Sequence, residues 1–170
     1  LASKYLGKPL PERVAGIDIF TELVKISSEK GYKPYFFGAK EEVVTEVVRK
    51  FKEQYQKLQV AGYRNGYFKQ EESKSIAEQI NKSGADILFV AFSSPMKEFW
   101  IKEHMEIMQV PFAMGVGGSF DVIAGKTKRA PRWMQKCGLE WFYRFIQEPK
   151  RMFKRYIIGN IRFIKLIINN

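Results

Sequence analysis

The sequence predicts an α/β fold: a parallel sheet with helices on both faces, followed by a basic helical C-terminal appendage. Three observations point there. Short apolar runs alternate with single amphipathic helical stretches through the first 125 residues, the pattern of strands joined by helical crossovers. The clearest strand, Asp86 to Phe92, is apolar without alternation, as expected where helices cover both sheet faces. After Gly125 the composition turns strongly basic and aromatic.

Element by element, Leu1 to Leu6 reads as a helix end closed by Gly7, with Pro9 and Pro11 resisting continuation. Asp18 is placed to cap a helix carrying Phe20, Leu23, Val24 and Ser27 on one side until Gly31. Tyr35 to Phe37 reads as a short buried strand ending at Gly38. Residues 40–55 repeat the helical period through Val43, Val44, Val47, Val48 and Phe51. Leu58 to Ala61 is the next strand candidate, and Tyr63 to Tyr67 the turn after it. A polar helix over 70–82 turns Ile76, Ala77 and Ile80 inward and stops at Gly84. A helix over 96–108 and a strand from Val110 to Val116 complete this part. In such sheets ligands bind beyond the carboxyl ends of the strands, which collects Arg64–Tyr67, Ser93–Lys97 and Gly115–Asp121 at one edge. Beyond a basic connector, Lys126 to Arg132, residues 132–147 read as one helix, and Pro149 is suited to open another running to about Leu166. The boundary between core and appendage falls at residues 1–130 and 131–170.

Composition bounds the chemistry. With 170 residues, 45% hydrophobic and 28% charged, the chain is a globular domain. It has no apolar run of about 18 residues, the length of an ordinary transmembrane helix. One cysteine, Cys137, excludes an internal disulfide, and one histidine, His104, excludes a multi-histidine metal site. No Asp-x-Asp pair and no Gly-x-x-x-x-Gly-Lys-Ser/Thr loop is present, so no metal site is expected and a nucleotide would be held by backbone amides and Arg or Lys. The net charge is +11, of which residues 126–170 carry +10, with only Glu140 and Glu148 as acids there. Such a block addresses phosphate, whether in lipid, nucleic acid or a smaller ligand. Leu1 opens the chain without an initiator Met or signal-peptide pattern, so the sequence is expected to begin partway into a protein.

Each candidate site has a plain structural alternative. Gly115-Val-Gly117-Gly118-Ser-Phe-Asp121 lets a phosphate or sugar approach backbone N–H groups, or is simply a tight turn. Asp121 suits a helix cap or an acceptor for a hydroxyl or uracil-type group. Ser93 and Ser94, with Lys97, form either an anion cradle or a capping motif. Arg13 suits bidentate phosphate contact or a surface ion pair. Tyr67 suits stacking on a flat base or packing against its neighbours. His104, between Glu103 and Glu106, reads as a surface histidine, and Cys137 as a packed thiol.

Several stretches together resemble the TagA/WecG/CpsF glycosyltransferases (glycosyltransferase family 26). They are Pro11-Glu-Arg13-Val-Ala-Gly-Ile-Asp18, Ser94-Pro95-Met-Lys-Glu98-Phe-Trp-Ile101, Gly115 to Pro131 through Asp121, and Gly138-Leu-Glu-Trp141-Phe-Tyr-Arg144. The resemblance runs in order over nearly the whole chain. It implies a Rossmann-like, inverting, metal-independent enzyme of bacterial cell-surface polysaccharide synthesis, with no cofactor beyond its donor substrate. Such an enzyme moves N-acetylmannosamine or a related sugar from UDP to undecaprenyl-diphosphate-linked N-acetylglucosamine, at the inner face of the plasma membrane. It implies that Arg13 is the active-site arginine of the Pro-Glu-Arg motif and Asp121 the acid after the glycine loop. Arg144 and Arg151, with Lys154 and Arg155, correspond to appendage cations near the lipid diphosphate.

Two departures follow from the same resemblance. The family's catalytic aspartate, with threonine and asparagine site residues, is expected upstream of Leu1. The usual Pro-Lys-Gln-Glu reads Pro95-Met96-Lys97-Glu98, so Lys97 stands where a substrate-contacting glutamine is usual. The rival reading is a non-catalytic peripheral membrane or polyanion-binding module, motivated by the amphipathic tail. Nucleic acid is not an expected partner, because the tail aromatics suit packing or lipid rather than base stacking. Self-association is an open expectation, since a sheet lacking a neighbouring strand exposes apolar surface.

Overall fold

The structure is a computed structural model, and it describes Gly7 and residues 14–149. The helix end expected before Gly7, Arg13, and the expected helix beyond Pro149 lie outside the described residues. Val14–Lys126 form one compact unit, and the described residues from Thr127 onward belong to a second.

In the first unit α1 (Gly16–Lys30) buries Phe20, Val24 and Ser27, one side of the helix. The Ser27 hydroxyl donates to the Leu23 carbonyl at 2.7 Å, so its burial leaves no polar group unpaired. The helix begins at Gly16 rather than at Asp18, which places that carboxylate in the first turn instead of at the cap. β1 (Pro34–Gly38) is buried throughout. α2 (Glu41–Gln54) buries all five apolar positions that its period singled out, Val43, Val44, Val47, Val48 and Phe51. β2 (Gly62–Arg64) leads through a 3-10 turn (Gln70–Glu72) into α3 (Ser73–Lys82), whose Ile76, Ala77 and Ile80 face inward. β3 (Ile87–Ala91), α4 (Met96–Met108), β4 (Phe112–Gly115) and the short α5 (Ser119–Ile123) follow.

Among the described residues the sheet has four parallel strands in the order β2-β1-β3-β4. Successive residues of the two central strands supply opposite cores. Phe36, Ile87 and Phe89 join Phe20, Val24, the α2 valines, Phe51 and Phe120 on one face. Tyr35, Phe37, Leu88 and Val90 join Ile76, Ile80, Trp100 and Met108 on the other. That two-sided cover is why these strands read as unbroken apolar runs, and the Rossmann-like expectation holds.

Two expectations about the strands need correction. β2 lies at Gly62–Arg64, not at Leu58–Ala61, and takes two residues from the expected turn. Leu58 is buried, but the ladder starts only where Ala61 N–H donates to the Pro34 carbonyl at 2.9 Å and Gly62 comes opposite Tyr35. A Cβ on Gly62 would stand 2.6 Å from the Tyr35 ring, so this strand position needs a residue without a side chain. β4 pairs with β3 at the sheet edge and is half exposed, with Phe112 47% accessible, so the two-sided cover stops short of it.

His104 is buried, not on the surface. One helical turn after Trp100, its ring stacks on the indole at a centroid distance of 4.8 Å, with Nδ1 3.0 Å from the Trp100 carbonyl oxygen. The indole N–H in turn donates to the Ser73 hydroxyl at 2.7 Å, tying α4 to α3 inside the core. Ser73→Ala should therefore destabilise the domain by about 1–3 kcal/mol, because it strands a buried donor. Denaturant titration of Ser73→Ala, Trp100→Phe and the double variant checks it. Additive losses would show that the hydrogen bond carries no such coupling.

In the second unit the helix expected over 132–147 is two helices, α6 (Arg132–Lys136) and α7 (Glu140–Gln147). Gly138, at φ 73°, takes the left-handed conformation, and Leu139 N–H turns back to the Met134 carbonyl at 2.8 Å. The Gln147 side chain bonds both backbone groups of Lys128, at 2.8 and 2.9 Å, which holds the connector against the end of α7. Cys137 is exposed rather than packed. Trp133, Trp141, Phe142 and Ile146 are exposed as well.

Candidate functional site at the carboxyl edge of the sheet

The chain runs outward in one direction from β1 to β2 and in the other from β3 to β4, so the connections diverge at the carboxyl ends of β1 and β3. The loop after β1, Gly38-Ala39-Lys40, therefore belongs to the candidate site, although sequence reasoning named only the loops after the other strands. A glycine closing a fully buried strand, Gly38, was the available signal.

Contacts knit the loops of this edge together. Ala39 N–H donates to the Ala91 carbonyl at 3.3 Å, and Gly66 N–H to the Ala39 carbonyl at 2.8 Å. Gly38, at φ 125°, lies so close to β3 that a Cβ would stand 2.8 Å from the Ala91 backbone. At Gly66 a Cβ would meet the Phe92 ring at 2.9 Å and the Gly38 Cα at 3.0 Å. Val116 N–H bonds the Val90 carbonyl at 2.8 Å, which carries β4 into the glycine turn.

Within this edge the expected residues take distinct places. Ser93 and Ser94 are exposed, and Ser94 Oγ donates to Glu98 Oε1 at 3.2 Å. Lys97 threads its stem across Gly115, where a Cβ would be 2.7 Å from its Cδ and Cε, leaving the side chain 16% accessible. Its ammonium meets Glu98 Oε1 at 2.6 Å, and that hydrogen bond holds the Glu98 carboxyl below the usual carboxylate range. A cation is thereby delivered from the first turn of α4 to the start of the glycine turn. Gly117, at φ 51°, and Gly118 lead into α5, whose Asp121 is half-buried. Tyr67 stands 70% exposed on the β2 loop, so packing against neighbours does not account for it.

Arg144 is half-buried on α7, in the second unit. Arg13, Arg151, Lys154 and Arg155 lie outside the described residues. Of the basic connector, Lys126 is committed to Glu42 at 2.9 Å, which lowers the Glu42 carboxyl. Among the described residues no group of three His, Cys, Asp or Glu is placed to hold a metal ion, and no helix is long and apolar enough to cross a membrane.

The sequence model of the Glycosyl transferase WecG/TagA/CpsF family matches residues 1–170. An N-acetylglucosaminyldiphosphoundecaprenol N-acetyl-beta-D-mannosaminyltransferase of Bacillus spizizenii strain W23 is 38% identical over 151 residues, which are 89% of this chain and 58% of that protein. The protein of the same name from Bacillus subtilis strain 168 is 37% identical over the same shares. The chain thus spans somewhat over half the length of these curated relatives. Matched from end to end by the family's sequence pattern, it belongs to the WecG/TagA/CpsF family of glycosyltransferases.

Proposed function

We propose that this chain is the donor-binding part of an inverting glycosyltransferase that moves N-acetylmannosamine, or a related sugar, from UDP to undecaprenyl-diphosphate-linked N-acetylglucosamine. The single observation that carries the reading is the knitted carboxyl edge, where a lysine is threaded over Gly115 to the glycine turn in a chain of this family. The names of the two relatives support the acceptor and the sugar.

On this reading the backbone amides at Gly117 and Gly118, the hydroxyls of Ser93 and Ser94, and Lys97 receive the donor diphosphate. Asp121 accepts a hydrogen bond from the nucleoside, and Tyr67 covers the base. In the reaction the acceptor hydroxyl gives its proton to a carboxylate supplied from outside this chain. Its oxygen attacks the anomeric carbon, and the bond to the UDP oxygen breaks with inversion. Negative charge then grows on UDP, where Arg13 and Lys97 stabilise it. Arg144, Arg151, Lys154 and Arg155 serve the acceptor's lipid diphosphate, and the exposed aromatics of α6 and α7 suit a peripheral place at the membrane surface.

Calorimetric titration of this chain with UDP tests the donor half of the reading. Saturable 1:1 binding is expected, weakened at least severalfold by Lys97→Gln because a charge-assisted contact is lost. Binding of anionic vesicles with indifference to UDP would instead favour a membrane module.

A further inference from the structure

We propose that Asn65 is a positioning residue, whose side-chain amide, held by Glu41, fixes the Tyr67 backbone so that the exposed ring is presented to a flat pyrimidine base. The inference deepens the donor reading and rests on it. Asn65 is half-buried at the end of β2, and both ends of its amide are used. Its Nδ2 donates to Glu41 Oε2 at 2.6 Å, across 24 residues of sequence, and its Oδ1 accepts the Tyr67 N–H at 2.9 Å. Only one orientation of the amide satisfies a carboxylate and an N–H together. The side chain therefore links the first turn of α2 to the loop after β2.

The neighbours of Tyr67 are anchored as well. Gly66 is bonded to the Ala39 carbonyl, and the Phe68 ring packs on Phe37 and Phe92 at centroid distances of 5.6 and 5.9 Å. Tyr67 is thus a large ring left 70% exposed on backbone that is held on both sides and at its own N–H. Holding an exposed aromatic in one place has little stabilising value for the fold, since the ring buries little surface. It has value for a ligand, because a pre-oriented ring loses less freedom on stacking. The ring lies one residue from Gly66, whose backbone touches the β1 loop, so the base would sit beside the place where the connections diverge.

The test is calorimetry on the full chain with UDP, UMP and inorganic pyrophosphate as probes, for Asn65→Ala, Asn65→Asp, Glu41→Gln/Asn65→Asp, Tyr67→Ala and Asn65→Ala/Tyr67→Ala, with thermal melts to show that each is folded. Stacking on one aromatic is worth about 1–3 kcal/mol, so Tyr67→Ala should weaken UDP and UMP about tenfold or more. Asn65→Ala should weaken both about five- to tenfold and leave pyrophosphate unchanged. Asn65→Asp keeps the acceptor for Tyr67 N–H but sets two carboxylates together, and adding Glu41→Gln restores a donor–acceptor pair. The paired variant should therefore regain most of the affinity lost by Asn65→Asp. In the Tyr67→Ala background, Asn65→Ala should cost nothing more.

Equal weakening of pyrophosphate, a further loss in the Tyr67→Ala background, or no recovery in the paired variant would overturn the positioning role while leaving donor binding intact. Absence of UDP binding by the unaltered chain would overturn the donor reading, and the positioning role with it.

Discussion

Truncating Phe20 to alanine is expected to lower the stability of the domain by about 3–5 kcal/mol, the range for removing a fully buried phenylalanine. Phe20 is inaccessible and stands at the centre of one core. Its ring meets Phe89 at 4.7 Å, Phe51 at 5.4 Å, Phe120 at 5.7 Å and Phe36 at 6.3 Å. Those partners come from β3, α2, α5 and β1, so the cavity would open between three helices and the sheet, where no single side chain can move in to fill it. Small domains have roughly 5–15 kcal/mol in all, and the loss is a large share of that. Denaturant midpoints for Phe20→Ala and Phe20→Leu, with the 41% exposed Ile19→Ala as control, provide the measurement. Phe20→Leu should lose clearly less, and Ile19→Ala little. Because Phe120 sits in the short helix that follows the glycine turn, Phe20→Ala should also weaken UDP binding when it is still folded. A loss below about 1 kcal/mol would mean that the aromatic cluster relaxes far more than close packing allows.

Arg13→Ala, made in a form that carries the full length of the family's domain, is expected to lower turnover by about 100- to 1,000-fold, the usual effect of removing one preorganised group that stabilises developing charge. The proposal behind it is that the leaving UDP is stabilised by cationic side chains and backbone amides. A guanidinium offers two parallel donors to a phosphate where an ammonium offers a point charge. Arg13→Lys should therefore fall between the wild type and Arg13→Ala. Thermal stability should be nearly unchanged in both. Undiminished turnover of Arg13→Ala, measured with saturating donor and acceptor, would remove Arg13 from the site.

The two effects differ in how far the sequence could lead to them. Phe20 was legible as an inward position because helical periodicity is local, and the same holds for Val43 to Phe51 and for Ile76 to Ile80. The loops after β2, β3 and β4 were legible because a parallel sheet must turn its connections toward one edge. Other features were not. The apolar run Leu58–Ala61 was the strand candidate, whereas Tyr35, 27 positions before Gly62, needs that glycine opposite it. His104 sits between acids in sequence, yet one helical turn puts its ring on Trp100, itself fastened to Ser73 of another helix. The loop after β1 carries no phosphate-binding pattern beyond its glycine, Gly38, and the strand order places it at the divergence point.

By itself the sequence determined the layered α/β class, most helices of the first 125 residues with their inward faces, the glycine turn before Asp121 and the concentration of charge beyond Gly125. These follow from local backbone preference, hydrophobic period and composition, each of which acts within a few residues. Only the tertiary structure decided which residues of the second strand enter the ladder, that a histidine flanked by acids is buried, and that Asn65 joins Glu41 to Tyr67. Those outcomes depend on the pairs Tyr35–Gly62 and Ser73–Trp100, each 27 positions apart, and Glu41–Asn65, 24 apart, and pairings at such distances are set by the packing of whole elements, which no short window of sequence contains.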